Sequence, residues 1–152
     1  MLPRIRPLAL LLAVFTTNAL AYPLTEVKLL PEDVVSVYDG DTLTVKIDML
    51  PDVFGRDISV RIRAIDTPEI RSECGTKDQR AKETMMAKQV RDYLVGKIAQ
   101  SKRVTLSDLD RDKYFRLLAT VSLDGVSVAD DLIAQGMAVP YDGGTKVGWC
   151  QL

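Results

Sequence analysis

Residues 34–47, VVSVYDGDTLTVKI, decide the fold. Leu43, Val45 and Ile47 alternate with Thr42, Thr44 and Lys46, the period-two pattern of a strand with one buried face, and Val34 to Tyr38 forms another β-rich run just before it. Asp39-Gly40 between them is a hairpin turn signal. Further along, Met49 to Arg56 contains Pro51 and Gly55 and reads as a loop, after which Ile58, Val60 and Ile62 alternate with Ser59, Arg61 and Arg63. A three-stranded meander is expected, with Arg61 and Arg63 turned away from the core.

From about Asp78 to Gln100 the period becomes helical, because Met86, Val90, Leu94 and Ile98 recur every four residues among Lys, Arg, Gln and Asp. Val104 to Leu106 predicts a fourth strand, Ser107 to Lys113 a loop, and Phe115 to Leu123 a fifth strand. Ser127 with Asp130 resembles a capping pair that opens a short helix through Gln135, and Gly136 is placed to end it. The expected class is α+β, mainly β: a five-stranded Greek-key barrel of the OB type, with one long helix after strand 3 and a short C-terminal helix.

At the other end, Arg4 and Arg6 precede the apolar run Leu8 to Phe15, which is followed by Ala19-Leu20-Ala21. That order is the grammar of a secretory signal peptide over residues 1–21, and the apolar run is well short of the roughly 20 residues that span a bilayer. Residue 22 is Tyr rather than a lipid-accepting Cys, so the domain at 22–152 is expected to be free of the membrane, in the periplasm or the medium. Export permits a disulfide between Cys74 and Cys150, the alternative being two separate thiols. A bridge would tie down the C-terminal tail and contribute about 4 kcal/mol in the loop-entropy model.

Composition narrows the chemistry. The 152 residues suit one domain, and 47% hydrophobic with 27% charged residues excludes disorder. The absence of His removes Ser-His-Asp and Cys-His catalysis and His-ligated zinc, leaving acid-base work to carboxylates, Lys, Tyr or metal-bound water. With 20 Lys+Arg against 21 Asp+Glu the net charge is −1, and losing Arg4 and Arg6 with the leader takes it to −3, so there is no bulk basic footprint for nucleic acid.

Asp39 and Asp41, then Asp66 and Glu69, fall at turns or strand ends. Carboxylate oxygens suit a hard cation such as Ca²⁺, and a sheet register that brings Asp41 beside Asp66 would build such a site. Arg61 and Arg116 carry planar forks matched to phosphate oxygens. The plainer reading of the same residues is a set of turns and a solvated strand face with ordinary ion pairs. Asp108-x-Asp110-x-Asp112 is not an EF-hand loop, since Lys113 and Ala119 stand where Gly and Glu are required.

Taken in order, Asp39-Gly40-Asp41-Thr42, Arg61, Ile65-Asp66-Thr67-Pro68-Glu69, a helix, Asp112-Lys113-Tyr114-x-Arg116, Asp124-Gly125 and Gln135-Gly136 resemble the staphylococcal nuclease (thermonuclease) family over roughly Val34 to Tyr141. The resemblance implies an OB-fold nuclease that cleaves DNA and RNA phosphodiesters with Ca²⁺. It implies that Asp41, Asp66 and the backbone carbonyl of Thr67 hold the metal, and that Glu69 positions or deprotonates the attacking water. It further implies that Arg61 and Arg116 bind the scissile phosphate, while Lys113 and Tyr114 contact the terminal phosphate and the base pocket. Tyr141 lies near a family pocket tyrosine and is a candidate for substrate contact or for tail packing beside Pro140. No protein partner is implied, and a monomer is expected.

Three features depart from the family's namesake: the longer Met49–Arg56 loop, Phe115 in place of a Gly, and a Trp149-Cys150 tail where the namesake continues into a third helix. Two non-nuclease readings stay open: an OB module that binds single-stranded nucleic acid without cutting it, and a Ca²⁺-stabilised structural domain.

Overall fold

Period-two segments dominate the chain, and they assemble as a mainly β, mixed α+β domain. The computed structural model describes residues 25–146 and 148–151, so the expected leader at 1–21 lies outside the described residues. The strands are β1 (Glu26–Leu29), β2 (Val34–Val37), β3 (Thr42–Val45), β4 (Ile58–Ile62), β5 (Ile65–Asp66), β6 (Val104–Arg111), β7 (Leu117–Leu123), β8 (Val126–Ser127) and β9 (Val139–Pro140). The helices are α1 (Asp52–Gly55), α2 (Lys77–Gln100) and α3 (Val128–Ala134).

The main sheet runs β1-β6-β7-β4-β3-β2, with β8 on β7, and β5 pairs separately with β9. The two outer strands of that path, β1 and β2, are consecutive in the chain and separated only by a turn at Pro31–Asp33, so the sheet curls round on itself. Inside the curl lie Val27, Leu43, Val45, Val60, Ile62, Val104, Leu106, Ala119 and Val121, and α2 packs Val90, Leu94 and Ile98 against them.

The strand count differs from the expected five, and each difference has a local cause. The first expected strand extends back through Glu26–Leu29, interrupted where Pro31 has no N–H to give a ladder. Ser107 to Arg111, expected as loop, is strand: apart from Leu109, which packs at the edge of the core, its side chains are polar, but its backbone pairs with β7 across a bulge where Asp108 has φ 50°. The last strand starts at Leu117 rather than Phe115, because Phe115 has φ 67° and belongs to the preceding turn. The Met49–Arg56 loop holds the single-turn helix α1, and β8 and β9 are two-residue pairings too short to leave a pattern.

Thr76 caps α2, its hydroxyl accepting from Gln79 N–H at 3.2 Å while the Gln79 side chain accepts from Thr76 N–H at 3.0 Å. The buried face of α2 is Glu83, Ala87, Val90, Leu94 and Ile98, with Met86 only half-buried beside it. Ser127 caps α3, and Gly136, with φ 67°, ends it. No helix among the described residues is long and apolar enough to cross a membrane.

Register positions the site. Thr42 of β3 lies opposite Arg61 of β4, and Ile62 N–H donates to Asp41 O at 2.8 Å, which sets Asp41 beside Arg61. Strand β7 runs parallel to β4 with Arg61 opposite Leu118, so Arg116, just before β7, comes to the same end of the sheet. A tight turn with Ala64 at φ 69° then reverses the chain into β5 and returns Asp66 to that end.

Candidate active site

Gly40 explains how the Asp39-Gly40-Asp41 turn sits so deep. A Cβ there would lie 2.4 Å from Val90 Cγ1 and 2.7 Å from Thr67 Cγ2, so only glycine lets this turn close against α2 and the segment after β5. The result is a concentration of buried acid. Asp39, Asp41, Asp66 and Thr67 are 2% exposed or less, and Arg61 is 8% exposed.

Arg61 stands between two of these carboxylates. Its guanidinium pairs with Asp41 Oδ1 through Nη1, lies 3.6 Å from Asp66 Oδ1 through Nη2, and donates to Ile65 O at 3.1 Å. Arg61 is turned away from the core and lines the cleft that opens above it, yet it is not solvated: Val60, Arg61 and Ile62 are all buried, so both faces of β4 are covered. Burial lowers the Arg61 pKa from the ordinary guanidinium value, and the charges of Asp39 and Asp66 oppose that shift. Arg63, just after β4, reaches past the adjacent β7 to β6, where it donates to Asp108 O at 2.8 Å.

Asp41 also accepts from Thr42 Oγ1 at 3.0 Å and from Thr67 N–H at 3.3 Å. Asp39 accepts from Asp41 N–H at 3.2 Å. Burial pushes its pKa up to about 6, with the Glu69 charge adding to the rise and Arg61 and Thr42 opposing it.

Above this floor opens a cleft of about 970 Å³, lined by Asp39, Arg61, Glu69, Lys113, Tyr114, Arg116, Tyr141 and Lys146 among others. Asp41, Asp66 and Thr67 lie beneath its surface. Glu69 is held by its backbone, since its N–H donates to Glu83 Oε1 at 3.1 Å from the buried face of α2. Its carboxylate pairs with Lys146 from the C-terminal tail, and the same ammonium lies 2.8 Å from Asp66 Oδ1. That second contact is an ion pair without hydrogen-bond alignment, so Asp66 Oδ1, like Thr67 Oγ1, has no directed donor. Burial works against charge on Lys146, but its pairing with the Asp66 and Glu69 carboxylates outweighs burial and raises its pKa.

Arg116 comes from a turn that Asp112 organises. Asp112 Oδ1 accepts from Tyr114 N–H and Arg116 N–H, both at 2.9 Å, and its Oδ2 accepts from Arg116 Nε at 2.7 Å. Burial of Asp112 opposes its charge, but these donors prevail and lower its pKa. Lys113 and Arg116 lie over the exposed Tyr114 ring, at 5.1 and 5.5 Å from its centroid. Tyr141 hydroxyl donates to Gly144 O at 3.0 Å on the facing rim.

The structure thus gathers Asp41, Arg61, Asp66, Thr67 and Glu69 at one end of the sheet, with Lys113, Tyr114, Arg116 and Tyr141 around the same cleft. Asp39 is a further buried member. Sequence reasoning did not single out Asp112, Glu83, Lys146 or Trp149. Asp112 was visible as the first residue of the Asp112-Lys113-Tyr114 run; the others approach only through tertiary folding.

The donor set fits a hard cation. The buried carboxylates Asp39, Asp41 and Asp66 outnumber the buried Arg61 guanidinium and the half-exposed Lys146 ammonium set against them, which leaves net negative charge, and all available donors are oxygens. A second cluster, Cys74, Glu83 and Cys150, is no metal centre, because Cys74 and Cys150 are joined to each other as a disulfide with Cα atoms 5.4 Å apart.

A family model described as staphylococcal nuclease homologue matches residues 59–147, more than half of the chain. None of the curated proteins matches it.

Proposed function

The chain belongs to the staphylococcal nuclease family, and from that premise we propose that it is an exported, Ca²⁺-dependent nuclease that hydrolyses phosphodiester bonds in both DNA and RNA. The observation that carries this reading is the cleft itself, where Arg61, Arg116 and Glu69 converge over buried Asp41 and Asp66. In this reading the curled sheet is the five-stranded OB barrel of the family, with β1 and β2 forming one interrupted strand.

Asp41, Asp66 and the Thr67 carbonyl would hold Ca²⁺, which when bound polarises a phosphate oxygen and helps present water. Glu69, with its backbone fixed by Glu83, is the carboxylate that orients the attacking water and takes its proton. Arg61 from β4 and Arg116 from the turn just before the parallel strand β7 supply forks for the equatorial oxygens, where charge grows as water attacks in line. Lys113 offers a point charge to a neighbouring phosphate, and the exposed Tyr114 ring offers a stacking face to a base. No covalent intermediate is required.

Export is supported by the leader grammar of residues 1–21 and fits the Cys74–Cys150 bridge, which an oxidising compartment preserves. The protein is read as a monomer acting in the periplasm or the medium. Incubation of plasmid DNA and of RNA with the protein, in Ca²⁺ and in EGTA, tests the reading. Ca²⁺-dependent loss of both substrates is expected. Retarded but intact bands would point instead to a binding module, and no change at all to a structural domain.

A further inference from the structure

We propose that the C-terminal tail is a working part of the cation site, with Trp149 the positioning residue for Asp66 and the Cys74–Cys150 bridge the tether that delivers it. The inference rests on reading Asp66 as a cation ligand.

A carboxylate that serves a metal must present one oxygen in a defined direction, and its other oxygen is commonly held by an outer donor. Asp66 has such a donor. Trp149 Nε1 donates to Asp66 Oδ2 at 3.1 Å, and both side chains are buried. An indole N–H has no acceptor role, so this contact fixes one carboxylate oxygen and leaves the other, Oδ1, toward Arg61 and Lys146 on the cleft side. Pairing of Asp66 with Val139 in the two-stranded sheet sets the backbone of Asp66, but the direction of its carboxylate is set by the indole.

Trp149 is 83 residues from Asp66 in sequence, and what brings it there is covalent. Cys150, the next residue, is bonded to Cys74, and its carbonyl accepts from Gln79 Nε2 at 3.2 Å on the first turn of α2. Cys74 lies in the segment between β5 and α2 that also carries Thr67 and Glu69, with its N–H donating to Ser72 Oγ at 3.2 Å. One bridge therefore joins the segment bearing the proposed ligands to the segment bearing their orienting donor.

The test is calorimetric titration of the oxidised full-length chain with Ca²⁺ alone, in the absence of nucleic acid, well below the thermal midpoint of every sample. Trp149→Phe keeps the ring's apolar bulk and removes the N–H. It is expected to weaken Ca²⁺ binding about 10- to 100-fold. Reduction of the wild-type bridge should cost a similar factor, and reduction of the Trp149→Phe protein should cost little more, because both act through the same hydrogen bond. Equal Ca²⁺ affinity in wild type and Trp149→Phe would overturn the positioning role even if the thermal midpoint fell, since that combination marks packing alone. Independent, multiplying losses on reduction and substitution would overturn the tether. A wild-type protein that takes up no Ca²⁺ would overturn the metal reading and this inference together, an outcome distinct from either of the others.

Discussion

Single side chains in this cleft have separable duties. Glu69→Ala and Arg116→Ala are each expected to lower turnover by about 10²- to 10⁴-fold, the range for losing a general base or an electrostatic donor, with far-UV circular dichroism unchanged. Asp39 makes a different contribution, through its pKa of about 6 against an ordinary 3.8. Between those values the folded chain holds a proton that the unfolded chain has released, so stability from this group is full in acid and declines as pH rises through about 6. The penalty at neutral pH reaches as much as about 3 kcal/mol in metal-free protein. Asp39→Asn should therefore be more stable than wild type at pH 7.5 and lose that advantage near pH 4, as denaturant titrations in EGTA would show. Much of this residue set was legible, because Asp39-Gly40-Asp41-Thr42 and Asp66-Thr67-Pro68-Glu69 put acids at turns where chain reversal brings them together. Lys146, Glu83 and Trp149 were not legible. A lysine in a polar tail, an acid on a helix and a tryptophan beside a cysteine carry no local pattern, and their partners are reached only across the folded chain.

At the level of elements, the close approach at Gly40 links stability to the site. Gly40→Ala places a methyl against Val90 and Thr67, and the expected loss is about 1–3 kcal/mol from overpacking, read as a lower denaturation midpoint with unchanged slope. Displacement of the turn would also move Asp41, so Ca²⁺ affinity should fall with it. The strands that proved readable, β3, β4 and the body of β7, are those in which apolar and polar residues alternate. Strand β4 shows a limit of that rule: alternation located the strand and turned Arg61 away from the core, but not its burial, because a central strand beneath a cleft buries its polar face as well. The mostly polar Ser107–Arg111 was missed for the opposite reason, since backbone pairing with β7, with Leu109 alone reaching the core, makes it a strand. In α2 the four-residue period was correct, yet a buried Glu83 within the inward face masks where that face begins.

The whole chain is slightly acidic, with 20 Lys+Arg against 21 Asp+Glu, so its hold on a polyanion depends on a few local cations. If Arg61, Arg116 and Lys113 supply the phosphate contacts, log affinity for single- or double-stranded substrate should fall with log salt at a slope of about −2 to −3. Filter-binding or anisotropy titrations from low to moderate salt check this, and a slope several times steeper would require a basic surface that the composition does not supply. The overall curl was harder to read than its parts, because closure depends on where non-neighbouring strands meet and no single segment encodes that. The same curl has a colloidal consequence. The two outer strands of the main sheet are each only four residues long; β2 carries a bulge and β1 alternates exposed Glu26 and Lys28 with its buried residues. Short, bent and charged margins make poor templates for another molecule's backbone, so neighbouring copies have little to zip onto, and the protein should remain dispersed at concentrations where a flat, open-edged sheet would assemble into fibres.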